Sequence, residues 1–464
     1  MDIEQFRKAG YQAIDRICDY HYSLRNKPVV ANVQPGYLKP LIPSAPPDAG
    51  EDFQTIADDY QRLIVPGLTH WQHPSFFAYF PTACTFEGIL GDLYSSSVSN
   101  PGFNWASSPA CSELEVIVMD WAAKLLGLAS GFMNESGIGG GAIQSSASDS
   151  AMIAIVAARA SYKREYPDTK LEELVIYTTS QTHSLGVKAG MVLGLSVRIL
   201  DVKSEDNYSL RGDTLRSALE EDRRAGKKPF IRQVGKSMKY EHEGMDHPYL
   251  RVHVDAAWAG VAFSCPEYRK IGYLDEINEF ADSFCTNFHK VLQSLKFLTE
   301  ALDITPPFLR TKQGDAGRTL AIDYRNWHLG LGRRFRSLKF WFVLRSFGVQ
   351  GFQQHIRKSI SLNNLFVSLV KQSDIIKIVT PPSFGLTVFR LDPPSHILQQ
   401  TTESLNTLNM SFFSRISARD DICLTQTWLN RVVCIRFAVG AVLTSERDIQ
   451  KAFRHHFEGS DRGD

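Results

Sequence analysis

Between about residue 115 and residue 290, short apolar runs alternate with longer stretches of helical period. This alternation constrains the fold more than any other feature of the chain. Residues 114–126 and 150–164 have the three- and four-residue apolar spacing of helices. Residues 174–178 (LVIYT) read as a buried strand, 186–193 as a helix and 197–200 as a second strand, with two more strand-like runs at 252–254 and 281–286. Strands alternating with helices form βαβ units around a mostly parallel sheet, so the chain is expected to be α/β. Open sheets of that kind bind ligands just beyond the carboxyl ends of their strands. Reactive residues are therefore expected directly after each run.

The flanks differ from this centre. Phe6, Gly10, Ala13, Ile14, Ile17 and Cys18 recur at helical spacing, and prolines 28, 35, 40, 43, 46 and 47 then exclude regular structure. A helix on a proline-rich arm has no core of its own and must pack on the main body or on a second subunit. Beyond about residue 335 a helix-rich section leads into strand-like runs at 384–391 and 431–438, the pattern of a smaller α+β domain. The expected division is an arm over 1–80, a large domain over 81–345 and a small one over 346–464. Residues 230–250 break the pattern: a further apolar strand is due there, but RQVGKSMKYEHEGMDHPYL reads as a solvated loop.

Composition narrows the class. With 51 basic against 50 acidic residues the net charge is +1, which gives no general attraction for nucleic acid or anionic lipid. No apolar stretch approaches the roughly 18–20 residues of a membrane span. The opening MDIEQFRKAG has no secretory pattern. Seven scattered cysteines without a C-x-x-C pair argue against a disulfide framework or a metal site. The expectation is a cytoplasmic enzyme without metal.

Four elements carry residues of the right type at the right places. Lys290, in Asn287-Phe288-His289-Lys290, follows the 281–286 run. Desolvated at a strand end, a lysine becomes a nucleophile toward carbonyls, although on this feature alone a surface lysine is the simpler reading. Asp255 follows 252–254 and is surrounded by Ala256, Ala257, Ala259 and Gly260. It can pair with a protonated ring nitrogen, as pyridoxal phosphate requires, or cap the following turn. The glycine run from Gly137 to Gly141, then Ser145, Ser146 and Ser148, leads into the helical AMIAIVAARA. Such a segment can cradle a phosphate or be a loop with an N-cap serine. His183 follows the 174–178 strand and can lie flat on an aromatic ring or be structural. Each signal is weak alone, but together they set a phosphate cradle, a stacking histidine, a ring-nitrogen aspartate and a Schiff-base lysine along the chain, each at a strand end or a helix start.

The segments HPSFFAYFPT (73–82), NWASSPACSELE (104–115), GGAIQSSAS (140–148), HVDAA (253–257), NFHK (287–290) and GRRFRSLK (332–339) resemble the group II pyridoxal-phosphate-dependent amino-acid decarboxylases. Among these the chain is most similar to the aromatic-L-amino-acid (tyrosine, dopa or tryptophan) decarboxylases. The resemblance implies the type I aminotransferase-like fold and a homodimer with shared active sites. It also implies that Lys290 holds pyridoxal 5'-phosphate, Asp255 its ring nitrogen, and that His183 stacks on the ring beside Ala257. Ser146, Ala147, Ser148, Asn287 and His289 would surround the phosphate. Trp71, Tyr79, Phe80, Pro81, Thr82 and, from the second subunit, Phe103 would line the substrate pocket, near Gly332 and Arg333.

Three departures qualify this. The strand and small-residue loop that the family has before HVDAA are replaced by the charged run 231–250. The strand that follows the family's lysine falls in 291–307, a short stretch that reads as a helix. Phe308 stands where the family's decarboxylases have a tyrosine that returns a proton to Cα. Without that acid the carbanion left by carbon dioxide lives longer and can react with oxygen, as in the related aldehyde synthases. The expected activity is decarboxylation of an aromatic L-amino acid in secondary metabolism, leaning to tryptophan because Gly332 leaves room for a bicyclic ring. The alternatives are an aromatic acetaldehyde synthase and a non-catalytic homologue. An aminotransferase is disfavoured, because no arginine resembles its substrate-carboxylate site.

Overall fold

The computed structural model describes residues 1–234, 250–288, 292–295 and 322–457. In chain order the first elements are α1 (Ile3–Ser23), α2 (Phe53–Asp59), α3 (Phe86–Val98), α4 (Pro109–Leu126), β1 (Gly141–Ile143) and α5 (Ala147–Glu165). Then come β2 (Leu174–Thr179), α6 (Leu185–Leu193), β3 (Ser196–Leu200), α7 (Gly212–Arg224), β4 (Lys228–Val234) and β5 (Arg251–Asp255). They are followed by α8 (Leu274–Phe280), β6 (Ser283–Thr286), β7 (Leu292–Leu295) and α9 (Arg336–Val370), which is broken at Gly348. The last are β8 (Ile376–Ile378), β9 (Leu386–Leu391), α10 (Thr402–Ser417), β10 (Thr425–Leu429), β11 (Val432–Ala438) and α11 (Glu446–His456).

Contacts divide the chain into two compact units, Cys84–Arg357 and Met1–Ala83 with Lys358–Asp464. The N-terminal segment thus groups with the C-terminal section rather than forming a unit of its own.

The larger unit holds a sheet of order β1-β7-β6-β5-β4-β2-β3. Strands β2 to β6 run parallel, and β7 runs antiparallel to both β6 and β1, so β1 points the same way as β2–β6. Both faces are buried. Tyr177, Val252, Val254 and Phe284 pack into one apolar cluster with Leu126, Phe132 and Phe263, while Leu174, Ile176, Phe230 and Ile231 pack into another with Ile155 and Ala158 of α5. The alternation along β2 between the two clusters is the period-two pattern of a strand covered on both sides.

Two strands correct the sequence expectation. The missing strand is β4, between β2 and β5, with Gln233 opposite His253. Its polar Lys228, Arg232 and Gln233 hide it in the sequence, yet Arg232 and Gln233 are buried. Residues 235–249 of the charged run lie outside the described residues. The stretch read as a helix after Lys290 contributes β7, whose Leu292 pairs with Thr286 on one side and Ile143 on the other. Four residues are too few to separate a strand from a helix by period.

The second unit has an antiparallel sheet of order β10-β11-β9-β8. Its core is aromatic: Phe366 stacks on Phe437 at 3.8 Å between centroids, and Phe77 stacks on Phe437 at 4.1 Å. The segment from His73 to Tyr79 is laid along this sheet by backbone bonds, Phe77 N–H to Cys423 O at 2.9 Å and Ala438 N–H to Phe77 O at 3.0 Å. Helix α1 buries no residue and exposes Ile3, Phe6, Tyr11 and Ile14. No helix among the described residues is long and apolar enough to cross a membrane.

The turn after β5 packs tightly on the end of β6. A Cβ on Gly260 would lie 2.5 Å from Thr286 Oγ1 and 2.7 Å from its Cβ, whereas one on Gly10 would meet nothing within 4 Å. Gly260→Ala should therefore lower unfolding stability by about 1–3 kcal/mol. Gly10→Ala should be neutral or slightly stabilising, because alanine favours the helix. Calorimetric midpoints of the two variants check the contrast.

Candidate active site

The parallel strands deliver their last residues to one edge of the sheet. Strand β1 hands on to Gln144, Ser145 and Ser146, and Ser146 is the N-cap of α5, its Oγ accepting from Asp149 N–H at 3.1 Å. Ala147 and Ser148 open the helix, so their backbone N–H groups have no intrahelical acceptor and point outward with the positive end of the helix dipole. Helix α5 then packs across β4, β5 and β6. The glycine run has a different place from the one expected. It leads into β1, and the helix opens with the serines. Gly140 takes φ +153, where a Cβ would lie 2.6 Å from the Trp327 ring, and Gly139 packs on the backbone of Gly131.

Asp255 ends β5 and is half-buried. Among the described residues its carboxylate accepts only long bonds: from Ala257 N–H at 3.2 Å, Gln233 Nε2 at 3.3 Å and the Cys285 thiol at 3.7 Å. Burial and the neighbouring Asp255 push the Cys285 thiol well up, so it stays a neutral donor. Two residues before Asp255, buried His253 binds Ser283 Oγ through Nδ1 at 2.8 Å. Burial lowers its pKa to about 4, against an opposing pull from Asp255, so the imidazole is neutral.

The rest of the edge is polar and under-bonded. Thr178 Oγ1, Gln233 Oε1, Thr286 Oγ1 and Asn287 Oδ1 are buried atoms without a hydrogen-bond partner among the described residues. Buried groups of this kind cost stability unless a ligand or water satisfies them. Asn287 N–H reaches Ala257 O at 3.3 Å, tying the ends of β5 and β6 together. His183 follows β2 through a turn closed by Thr182 N–H to Thr179 O at 3.2 Å, and it is exposed. Lys290 and His289, between the ends of β6 and β7, and Phe308 lie outside the described residues. The arrangement fits pyridoxal 5'-phosphate. An under-bonded carboxylate flanked by alanines suits a protonated ring nitrogen, the α5 N-terminus suits a phosphate, and the orphaned amide and hydroxyl groups can bond what lies between.

Phe103 is half-buried, its carbonyl accepting from Arg325 N–H at 2.9 Å, in a segment where Gly102 takes φ +46. Gly332 is exposed, and a Cβ there would meet nothing within 4 Å. Arg333 is expected near the substrate, but its guanidinium is buried, 2.5 Å from Glu115 Oε1 and 4.7 Å from the centre of the Tyr324 ring.

The remaining expected pocket residues belong to the second unit. There Trp71 and Tyr79 stack at 5.4 Å with a 10° interplanar angle. Tyr79 holds φ +50, fixed by its N–H to Thr425 Oγ1 at 2.6 Å. Gln72 Nε2 donates to Thr82 O at 2.5 Å, and Pro81 packs beside Gly440. Arg436 of β11 donates to Tyr79 O at 3.0 Å and lies 4.2 Å over the Phe80 ring. Sequence reasoning misses Arg436, since an arginine in a strand carries no motif.

The depressed His253 pKa sets a pH dependence. The unfolded chain takes up a proton near pH 6.5 and the folded chain only near pH 4, so stability falls as pH drops through that window. Between pH 7 and pH 5 this amounts to about 2 kcal/mol. His253→Asn, which can keep the bond to Ser283, should lose correspondingly less over the same interval. Urea midpoints at the two pH values test this, and an equal loss in both proteins contradicts it.

Comparison with known proteins identifies the family. Residues 35–392 match the pyridoxal-dependent decarboxylase conserved domain. The chain is 39% identical to phenylacetaldehyde synthase of Arabidopsis thaliana, over 98% of this chain and 95% of that one. It is also 39% identical to aromatic-L-amino-acid decarboxylase of Rattus norvegicus, over 98% and 97%. The crystal structure of Oryza sativa TDC with PLP and tryptamine superposes with a TM-score of 0.93 at 31% identity, covering 99% of this chain and 98% of that one. Strands β4 and β7 account for the ends of the two departing segments; the rest of both lies outside the described residues. The chain belongs to the pyridoxal-dependent decarboxylase family: it is a carboxy-lyase of α/β, type I aminotransferase-like fold whose cofactor is pyridoxal 5'-phosphate.

Proposed function

We propose that this enzyme removes the α-carboxylate of an aromatic L-amino acid, tryptophan before tyrosine or dopa, to give the arylalkylamine and carbon dioxide. The observation that carries the reading is the strand-end constellation around Asp255. Relatives that act on aromatic amino acids or make aromatic aldehydes support it. The open space at Gly332 supports the bicyclic side chain.

The cofactor, when bound, supplies an aldehyde that condenses with the substrate amine and a protonated ring that accepts the electrons of the breaking bond. Lys290 anchors that aldehyde between turnovers. Asp255 keeps the proton on the ring nitrogen, and neutral His253 behind it leaves the carboxylate's negative charge uncompensated for that task. His183 would lie against the ring, with Ala257 leaving room beside it. Ser146, Ala147, Ser148, Asn287 and His289 hold the phosphate. Trp71, Tyr79, Phe80, Pro81 and Thr82 exclude water and select a flat side chain, with Phe103 contributed by a second subunit. The exposed apolar faces of α1 and of α3, where Phe86, Leu90, Leu93, Tyr94 and Val98 are uncovered, support the homodimer. The enzyme is placed in the cytoplasm.

Phe308 favours a second reading, the acetaldehyde synthase. A phenyl ring cannot return a proton to Cα, so with Phe308 in that place the proton would have to come from another donor, and oxygen could compete with it.

Incubation with tryptophan, tyrosine and dopa, with and without air, tests both. Carbon dioxide should be released from at least one of them. In air, aldehyde, ammonia and hydrogen peroxide should accompany any amine, and Phe308→Tyr should shift the ratio toward amine. Amine alone, with no oxygen uptake and no effect of Phe308→Tyr, leaves Phe308 a packing residue. No carbon dioxide from any of the three overturns the substrate class.

A further inference from the structure

Among the described residues strand β1 is an edge strand of three residues, paired on one side only, with Gln293 opposite Ala142. On its outer side Ile143 N–H and Gly141 C=O have no strand to meet. Both are satisfied by side chains: Ile143 N–H donates to Glu115 Oε1 at 2.9 Å, and Tyr324 Oη donates to Gly141 O at 3.4 Å. Arg333 holds both of those side chains. Its Nη2 lies 2.5 Å from the same Glu115 oxygen, and its guanidinium lies over the Tyr324 ring. The Arg333 backbone N–H donates to Pro101 O at 2.8 Å and Nη1 to Gly102 O at 3.4 Å, which fixes the arginine to a third segment. Beside it Gln144 Nε2 donates to Trp327 O at 2.8 Å. Side chains of Glu115 and Arg333 are 4% and 5% exposed, so the pair is out of reach of solvent.

Ile143 is three residues before Ser146. The free edge that Glu115 and Arg333 hold is therefore the one that aims the first turn of α5. We propose that the buried Glu115–Arg333 pair sets the geometry of the cofactor's phosphate cradle at Ser146–Ser148, with Arg333 a positioning residue that does not touch substrate. The inference rests on reading that helix terminus as the phosphate site. An anion held by backbone N–H groups is sensitive to small displacements, because each donor must stay in line with its acceptor. Glu115→Gln keeps an oxygen for Ile143 N–H but removes the charge that holds the guanidinium. Arg333→Lys keeps a charge but loses the planar fork and the stacking on Tyr324.

The test is phosphate-dependent cofactor affinity. Apoprotein of the parent, Glu115→Gln, Arg333→Lys and the double variant is titrated with pyridoxal 5'-phosphate and with pyridoxal, following absorbance and intrinsic fluorescence, alongside thermal midpoints. Each single variant should bind pyridoxal 5'-phosphate at least about tenfold more weakly while pyridoxal binding changes less than about twofold. The double variant should be no worse than the poorer single one, since both remove one device. Equal loss for both ligands, or no loss for either, overturns the proposal and leaves the pair a structural one. Should Glu115→Gln not fold, Arg333→Lys decides by the same ratio. A parent that shows no preference for pyridoxal 5'-phosphate over pyridoxal overturns the cradle reading itself, and this inference with it.

Discussion

The molecule's chemistry depends on the burial of a parallel sheet on both faces. One apolar cluster takes in residues of β2, β5 and β6 and another takes in residues of β2 and β4, while Thr178, Gln233, Asp255 and Thr286 put polar side chains at or next to the strand ends. Because β1–β6 point the same way, those residues fall on one edge: Ile143 and then Ser146, Thr179 and then His183, Gln233, Asp255, Thr286 and Asn287. The reversed strand, β7, returns the chain after the lysine segment and closes the sheet onto β1.

At that edge the protein keeps polar groups incompletely bonded. Among the described residues Asp255 has three donors and none nearer than 3.2 Å, and the hydroxyl and carboxamide oxygens of Thr178, Thr286, Gln233 and Asn287 are orphaned. The cost of leaving them so is recovered when a ligand supplies the partners, a free-energy coupling between cofactor binding and folding. His253 is held neutral by burial and Cys285 remains a thiol, so neither compensates the aspartate. Farther back Glu115 and Tyr324, both held by Arg333, satisfy the open side of the strand that leads toward the N-terminus of α5.

Much of this edge is legible in the sequence, and what is not legible has physical causes. The strands β2, β3, β5 and β6 are apolar runs, and Asp255 and His183 follow such runs directly, so position and chemistry can be read together. Strand β4 is hidden because Arg232 and Gln233 are polar although buried, and propensity gives no sign of that. Strand β7 is hidden because LQSL is too short to show a period. The glycine run misleads because glycine marks close approach as readily as a phosphate loop; Gly139 and Gly140 pack against Gly131 and Trp327. Arg333 reads as a substrate neighbour because only tertiary contact shows that Glu115, 218 residues earlier, holds it.

The central claim is that the cofactor is attached where the parallel strands end, at the lysine that follows β6 and serves the same site as the aspartate that ends β5. Reduction of the holoenzyme with borohydride fixes the cofactor to its lysine, and peptide mapping then identifies it. The account predicts a single pyridoxyl label on Lys290. A label on any other lysine contradicts it.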